Sequence, residues 1–184
     1  MKDNFVIKWM KSYFIESRIN EKNIKSLLHF SILWNFFEHQ YFTLSNILTE
    51  RSIFELSCIS SEKINLTNLD KTFKHFQNRY LQSNTTNQKF ENLLLNTQSK
   101  NYLGNLSAYE YSKNIIINEE STNNEKLAVL FFIFHRFRNN FFHGNKYTET
   151  LNVYKTEFRI INEFLIHYFE STAKDDLINR KRFG

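Results

Sequence analysis

Proline is absent from this chain of 184 residues, and glycine occurs only at Gly104, Gly144 and Gly184. These two residue types mark most of the tight turns in folds built from many short strands. A chain with so few of them favours long helices joined by polar loops. Its length and its 41% hydrophobic content are sufficient for one substantial core. We therefore predict a single all-α domain over residues 1–184.

Apolar residues repeat at alternating spacings of three and four, which places them on one face of a helix. Together these stripes predict an up-and-down helical bundle of about five long helices. The clearest stripes are Leu27, Phe30, Trp34, Phe37 and Tyr41; Leu69, Phe73, Phe76 and Tyr80; Leu127, Leu130, Phe134, Phe137 and Phe141; and Leu151, Tyr154, Phe158, Ile161, Leu165 and Tyr168.

Two further helices have weaker patterns. The first covers Asp3–Glu16, and the other covers Ser45–Ile59 with Ile47, Phe54 and Cys58 directed inward. Start signals of the form Ser/Thr-x-x-acid occur at Thr67-x-x-Asp70 and at Thr122-x-x-Glu125. The first signal predicts the start of the fourth helix, and the second predicts the start of the helix that ends at Gly144.

A polar, Asn-rich segment at about 83–122 separates the two halves of the pattern, with one short helix candidate at Phe90–Leu95. Long connections of this kind are either disordered or form a flap over an active site. We predict a partly ordered insertion. The chain ends in a basic tail at about 173–184, which contains Arg180-Lys181-Arg182 and is expected to be solvated.

The overall charge favours a polyanionic partner, because the formal net charge is +5 and the isoelectric point is about 9.2. Cys58 is the single cysteine, so no disulfide can form within the chain, and a reducing compartment is expected. The apolar runs are too short to span a membrane, and the N-terminus lacks a signal-peptide pattern. These features predict a soluble cytoplasmic protein.

The segment from Arg136 to Gly144 reads Arg-Phe-Arg-Asn-Asn-Phe-Phe-His-Gly and ends an apolar helical run with cations, amides and a histidine. No carboxylate occurs between Leu127 and Thr148, so Arg136, Arg138 and Lys146 have no local counter-charge. Such a field attracts phosphate. The segment therefore indicates RNA as the partner, with Lys146 and Arg136 as RNA-binding candidates.

Helical geometry divides the polar residues of this segment. At about 100° per residue, one broad face contains Arg136, Asn139, Asn140 and His143, opposite Phe134 and Phe141. Arg138 lies about 140° from His143 by the same geometry. These two side chains can therefore meet only if the helix unwinds near Gly144 or if a second chain contributes one of them.

Histidine and arginine are sufficient to cleave RNA through its own 2′-hydroxyl. Imidazole can remove the hydroxyl proton or protonate the departing 5′-oxygen, and guanidinium binds phosphate oxygens. Because one chain supplies a single such histidine, a two-fold homodimer would bring two copies to one cleft. No HExxH or Cys/His cluster occurs, and the other histidines lack metal-ligand spacing. We predict no metal and no other cofactor.

Arg138-Asn139-Asn140-Phe141-Phe142-His143 resembles the Arg-polar-x-x-x-His signature of the HEPN superfamily, small helical domains of prokaryotic toxins, abortive-infection systems and CRISPR effectors. The flanking Phe-His-Gly-x-Lys and the position on the penultimate helix are also similar to short HEPN proteins. The resemblance implies a dimer with a composite cleft and metal-independent endoribonuclease activity. Its products would carry 2′,3′-cyclic phosphate and 5′-hydroxyl ends.

By this resemblance Arg138 is the phosphate-binding arginine, Asn139 the supporting polar residue and His143 the catalytic histidine. Arg136 also satisfies a looser form of the signature, and Asn140 is a further supporting candidate. HEPN toxins that are silenced by nucleotidyl modification carry tyrosine two places after the histidine, where this chain has Asn145. That difference argues against a nucleotidyltransferase antitoxin, while another antitoxin or a larger defence complex stays open as a partner.

Glu38 is a second candidate, since it lies at the edge of the stripe that contains Trp34. It either orients His143 or Arg138 across the bundle, as a polar residue of this helix does in related HEPN proteins, or forms an ordinary ion pair. His135 is expected to be a structural histidine. Two alternatives to a ribonuclease remain: a non-catalytic HEPN module that binds RNA or a nucleotide or assembles with an effector, and a purely structural bundle.

Overall fold

The computed structural model describes residues 21–42, 47–97, 105–118, 120–142 and 153–174. Within these residues seven α-helices and a two-stranded hairpin form, which confirms the predicted all-α bundle. The helices are α1 (Glu21–Tyr41), α2 (Glu50–Ser60), α3 (Leu66–Tyr80), α4 (Gln88–Leu94), α5 (Ala108–Ile117), α6 (Asn123–Phe142) and α7 (Lys155–Thr172). Strands β1 (Leu81–Gln82) and β2 (Thr85–Thr86) pair antiparallel before α4, and a 3-10 turn (Leu95–Thr97) follows it. The predicted helix at Asp3–Glu16 and nearly all of the basic tail lie outside the described residues.

Helix α6 forms the centre of the bundle. Every residue from Leu127 to Phe134 is buried, as expected for a helix that is apolar on all sides. It packs against α2, α3, α4 and α5, and Phe131 contacts Phe37 of α1 and Phe164 of α7. Helices α1 and α7 also pack closely against each other. The polar end of α6 therefore emerges from a fully packed core.

The predicted apolar stripes are confirmed where they can be compared, although Leu27, Tyr41, Phe141 and Tyr154 are only partly buried and Leu151 lies outside the described residues. The predicted start of α6 is also confirmed. The Glu125 carboxylate accepts hydrogen bonds from the backbone N–H and the hydroxyl of Thr122, both at 2.7 Å. Apolar spacing and capping hydrogen bonds involve residues that are close in sequence, so they can be recognised without the tertiary contacts.

The predicted inward face of the helix at Ser45–Ile59, which is α2, was wrong for two of its three residues. Ile47 is 69% exposed and Cys58 is exposed, whereas Phe54 is partly buried against the core. Ile53 and Ser57 are buried instead. The cause is the position of the helix start. Thr49 caps α2 by accepting a hydrogen bond from the Ser52 backbone, so Ile47 precedes the helix and cannot join its stripe.

The predicted start signal of α3 was also wrong. Asn65 caps this helix, and its side chain accepts a hydrogen bond from the Asn68 backbone at 3.1 Å. Asp70 instead forms an ion pair with Lys126 of α6, at 2.7 Å between Nζ and Oδ1. Because the helix begins at Leu66, Asp70 lies beyond the first turn, whose unpaired backbone N–H groups a capping side chain would bind.

The described parts of the insertion at 83–122 contain more structure than its polar composition indicates. Helix α5 was not predicted, and Ile116 on α5 is completely buried, as is Phe90 on α4. A capping box starts α5, in which Ser107 and Glu110 satisfy each other's backbone N–H groups. The side-chain amide of Gln77 donates to the Ile116 carbonyl at 2.9 Å and joins α5 to α3. The described parts of the insertion therefore belong to the core.

A conservative substitution tests this conclusion. Ile116→Val removes one buried methyl group and is expected to lower the free energy of unfolding by about 0.5–1.5 kcal/mol. Ile117→Val is the matched control, because its side chain is 38% exposed and should change stability by less than about 0.5 kcal/mol. Urea unfolding followed by circular dichroism measures both. Equal stabilities of the two variants would show that the insertion does not unfold with the core.

Candidate functional site

The candidate site lies at the C-terminal end of α6, where the buried apolar run gives way to polar residues. His135, Arg136, Arg138 and Asn139 are half-buried, and Asn140 is buried. A side chain in this zone keeps contact with solvent while the packed helix restrains its backbone. The end of α6 therefore offers positions at which a polar group can be both oriented and accessible.

Glu38 of α1 contacts Arg138 across the bundle. The indole Nε1 of Trp34, one turn earlier on α1, donates a hydrogen bond to Glu38 Oε1 at 2.8 Å. The same oxygen lies 3.5 Å from Arg138 Nε, and the two charged side chains are 26% and 28% exposed, respectively. A pair with this much exposure contributes about 1 kcal/mol at most. Its main effect is to orient the guanidinium.

Asn139 extends this contact to His135. Arg138 Nη1 donates to Asn139 Oδ1 at 3.2 Å, so the amide nitrogen of Asn139 faces the other way, 3.1 Å from His135 Nε2. Because an amide nitrogen only donates, this contact is a hydrogen bond in the tautomer whose Nε2 accepts. The ring of His135 stacks on Trp34 with 9° between the planes and 6.2 Å between centroids. We call Trp34, Glu38, His135, Arg138 and Asn139 the Arg138 network.

Arg136 faces a different part of the bundle. Its Nε donates to the Leu93 carbonyl of α4 at 3.1 Å. Burial lowers the pKa of the guanidinium from its ordinary value, and the nearby Glu50 carboxylate opposes that change. A guanidinium nevertheless stays protonated at neutral pH.

Asn140 lies on the same side of α6 as Arg136 and lines a small cleft with Leu93. The predicted single polar face is therefore divided. Asn139 contacts His135 and Arg138, which themselves contact α1, while Arg136 donates to α4 and Asn140 lines a cleft beside it. The cleft also contains Arg79 and Lys89, which the sequence did not single out for function.

Two predicted site residues, His143 and Lys146, lie outside the described residues. The distance from His143 to Arg138 therefore stays a prediction, as does contact of Lys146 with RNA. Of the remaining candidates, Arg138, Asn139 and Glu38 meet in one network, whereas Arg136 and Asn140 do not join it.

A second groove, of about 420 Å³, lies between α3 and α7. His75 and His167 line it, together with Lys71 and Lys74. Burial lowers the pKa of His75, the Glu157 carboxylate opposes this change, and Arg79 adds to it. Within the described ranges, no group of three His, Cys, Asp or Glu residues is arranged to hold a metal ion.

No protein-family model matches this chain, and no curated protein and no solved structure matches it. In the part of the chain that the structure covers, none of the helices combines the length and apolar character needed to cross a membrane. The functional assignment therefore depends on the site itself and on the resemblance of its motif.

Proposed function

We propose that this protein is a metal-independent endoribonuclease of HEPN type. The observation that carries the proposal is the Arg138 network. Glu38 and Asn139 hold the guanidinium while its side chain stays 28% exposed, so an RNA phosphate can reach it. Guanidinium binds phosphate oxygens through parallel charged hydrogen bonds, which require a fixed orientation. The resemblance of Arg138-Asn139-x-x-x-His143 to the HEPN signature supports the same assignment.

In the proposed reaction an imidazole removes the proton from the RNA 2′-hydroxyl. The 2′-oxygen bonds to phosphorus, the bond from phosphorus to the 5′-oxygen breaks, and a second, protonated imidazole protonates that oxygen. The products are a 2′,3′-cyclic phosphate and a 5′-hydroxyl. Arg138 would stabilise the negative charge on the non-bridging phosphate oxygens as it develops.

His143 supplies one imidazole per chain, so base and acid would come from the two copies of a homodimer. Asn139 would act as a positioning residue, since it contacts Arg138 and His135. We place the enzyme in the cytoplasm, in anti-phage defence or as a toxin. An antitoxin or a larger defence complex would control it.

A second candidate function is a non-catalytic HEPN module that binds RNA or a nucleotide or assembles with an effector. One observation favours it: Arg138 already has an ion-pair partner in Glu38 within the chain, which is a structural role that needs no scissile phosphate. Such a module would bind RNA without cleaving it.

RNA cleavage in EDTA tests the proposed function. A mixed RNA pool is incubated with the wild-type protein, with Arg138→Ala and with Arg159→Ala, an exposed arginine of α7 that serves as control. Loss of Arg138 is expected to slow cleavage by at least about 100-fold, the typical effect of removing one donor to a developing anion. Arg159→Ala should cleave at the wild-type rate.

The chemistry of the product ends separates the two candidate functions. Cyclic phosphate ends resist a phosphomonoesterase until mild acid opens the ring, whereas ordinary 3′-phosphates are removed at once. Cleavage that requires a divalent metal and leaves 3′-hydroxyl ends would contradict the ribonuclease proposal. Equal rates of RNA cleavage by the wild type and by Arg138→Ala would also contradict it. Binding without cleavage would support the non-catalytic module.

A further inference from the structure

The groove between α3 and α7 has a volume of about 420 Å³, which is within the range of about 300–1,000 Å³ that is usual for ligand sites. Along α3 its lining runs from Asn68 to Asn78, a distance of about 15 Å at 1.5 Å per residue. Phe164 of α7 lines its base and is 2% exposed, because the ring packs into the core. We call this cavity the α3–α7 groove. Its length suits an extended segment of a polymer better than a compact ion.

The α3 wall of the groove carries a row of hydrogen-bond donors. Side chains that can donate line this wall at helical spacings of three and four, namely Asn68, Lys71, His75 and Asn78. Lys74 also lines the groove, and its ammonium group donates to the neutral amide oxygen of Gln77 at 3.0 Å. Neither lysine forms an ion pair with a described residue. The α3 wall therefore presents two ammonium groups to an anionic ligand.

The α7 wall differs, because it contains a carboxylate. Glu163 is exposed there and forms no ion pair with a described residue. An inorganic anion would meet this negative charge as well as the lysines, so the groove is poorly suited to it. An RNA strand is better matched. Its phosphates accept hydrogen bonds from lysine and amide groups, while its 2′-hydroxyls and base amino groups can donate to a carboxylate.

His75 adds hydrogen-bonding capacity that the fold itself does not use. Its side chain lines the groove, and its Nε2 is buried without a hydrogen-bond partner among the described residues. Buried polar atoms without partners are rare in proteins. Because this nitrogen lies beside the groove, it is close to the position that a bound strand would occupy.

One end of the groove lies near the polar end of α6. Next to Asn78, the guanidinium of Arg79 lies 5.5 Å from the centre of the Tyr154 ring. The centre of that ring is 5.3 Å from the centre of the Phe141 ring, in the last turn of α6. A strand that follows the groove would therefore lead towards the helix end that contains Arg138.

We propose that the α3–α7 groove binds a single strand of the substrate RNA beside the segment that is cleaved, an inference that rests on the proposed function for its substrate. Lys71 and Lys74 would contact phosphates, and Glu163 would accept a hydrogen bond from a 2′-hydroxyl or a base amino group. Phosphate contacts of this kind carry no direct sequence information. The groove would hold the RNA and leave the choice of bond to the site around Arg138.

The salt dependence of RNA binding tests the groove without relying on cleavage. The His143→Ala protein, which should not consume RNA, is titrated in EDTA with single-stranded oligouridine at several salt concentrations. Lys71→Gln with Lys74→Gln, in the same background, is expected to make the slope of log affinity against log salt shallower by about 1.4, because each phosphate contact of a single strand contributes about 0.7. The affinity for oligoadenosine should fall by the same factor as that for oligouridine.

Lys25→Gln with Lys63→Gln is the matched control for this double variant. It removes the same charge from two lysines that are exposed and do not line the groove. The slope for this control should stay close to that of the His143→Ala protein. Thermal melting checks that both double variants fold.

The outcomes distinguish the groove from the ribonuclease. A slope that becomes shallower in the groove variant and not in the control supports the groove as an RNA site. If the wild type of such a protein never cleaves RNA, the proposed enzyme alone is contradicted. A slope that changes no more in the groove variant than in the control overturns the groove, even if the wild type cleaves. Absence of any RNA binding overturns both proposals.

Discussion

Replacing His143 with alanine is expected to slow metal-free RNA cleavage by about 10²–10⁴-fold or more, the usual contribution of general acid and base groups. In a homodimer the change removes both imidazoles from the composite cleft at once, so neither the 2′-hydroxyl proton nor the departing 5′-oxygen has a partner. Binding of RNA should persist, because Arg138 and its network are untouched. Initial cleavage rates in EDTA and filter-binding affinities measure the two effects separately.

His167→Ala is the matched control for this variant. His167 lies on α7 with 48% of its side chain exposed, and its nearest charged partner is Glu170 at 3.3 Å. The His167→Ala protein should cleave RNA at the wild-type rate. A His143→Ala protein with full activity and a normal melting temperature would exclude His143 as the catalytic histidine and with it the HEPN mechanism.

Removing the Glu157 carboxylate is expected to produce the largest loss of stability. Glu157 is 3% exposed on α7 and pairs with Arg79 of α3, whose side chain is 15% exposed. Glu157→Ala leaves that guanidinium buried without its counter-charge, which typically costs about 3–5 kcal/mol. One atom of each partner, Arg79 Nε and Glu157 Oε2, already has no hydrogen-bond partner, so the site has little capacity to absorb a further loss.

Urea unfolding followed by circular dichroism measures this effect. Glu163→Ala, an exposed carboxylate on the same helix, is the control and should change stability by less than about 0.5 kcal/mol. A double variant, Arg79→Met with Glu157→Leu, is expected to recover most of the loss, because apolar residues of similar size can replace a buried ion pair. Similar stabilities of Glu157→Ala and Glu163→Ala would show that the ion pair does not stabilise the bundle.

Much of the helical framework could be predicted from local patterns. Trp34 and Phe37 on α1, and Phe73 and Phe76 on α3, were predicted to be buried and are buried. Helix α5 was missed although its Ser107-x-x-Glu110 start is a standard capping box. The surrounding asparagines and serines obscured it, because average polarity says little about a helix that buries one narrow face.

The candidate site could be predicted in part. Arg138, Asn139 and Glu38 were candidates from the sequence, and the structure brings these three into contact. The sequence left open whether Glu38 meets Arg138, since the two lie on helices that are distant along the chain. It also placed Asn139 and Asn140 on one face, whereas Asn139 contacts Arg138 and His135 of its own helix and Asn140 lines a cleft with residues of α3 and α4. A face of a helix is a broad sector, and only the packed neighbours decide how that sector is divided.

The sequence by itself determined the helices, because the period of 3.6 residues and the capping hydrogen bonds act within a few residues of each position. It also placed arginine, amide and histidine together after the apolar run from Leu127 to Phe134. Only the tertiary structure decided which of these side chains form contacts and with which partners. Trp34 orients Glu38, Glu38 contacts Arg138, and Asn140 is left facing a cleft. The Glu38–Arg138 contact and the walls of the cleft join residues from different helices, so they depend on how the helices pack and not on any local repeat.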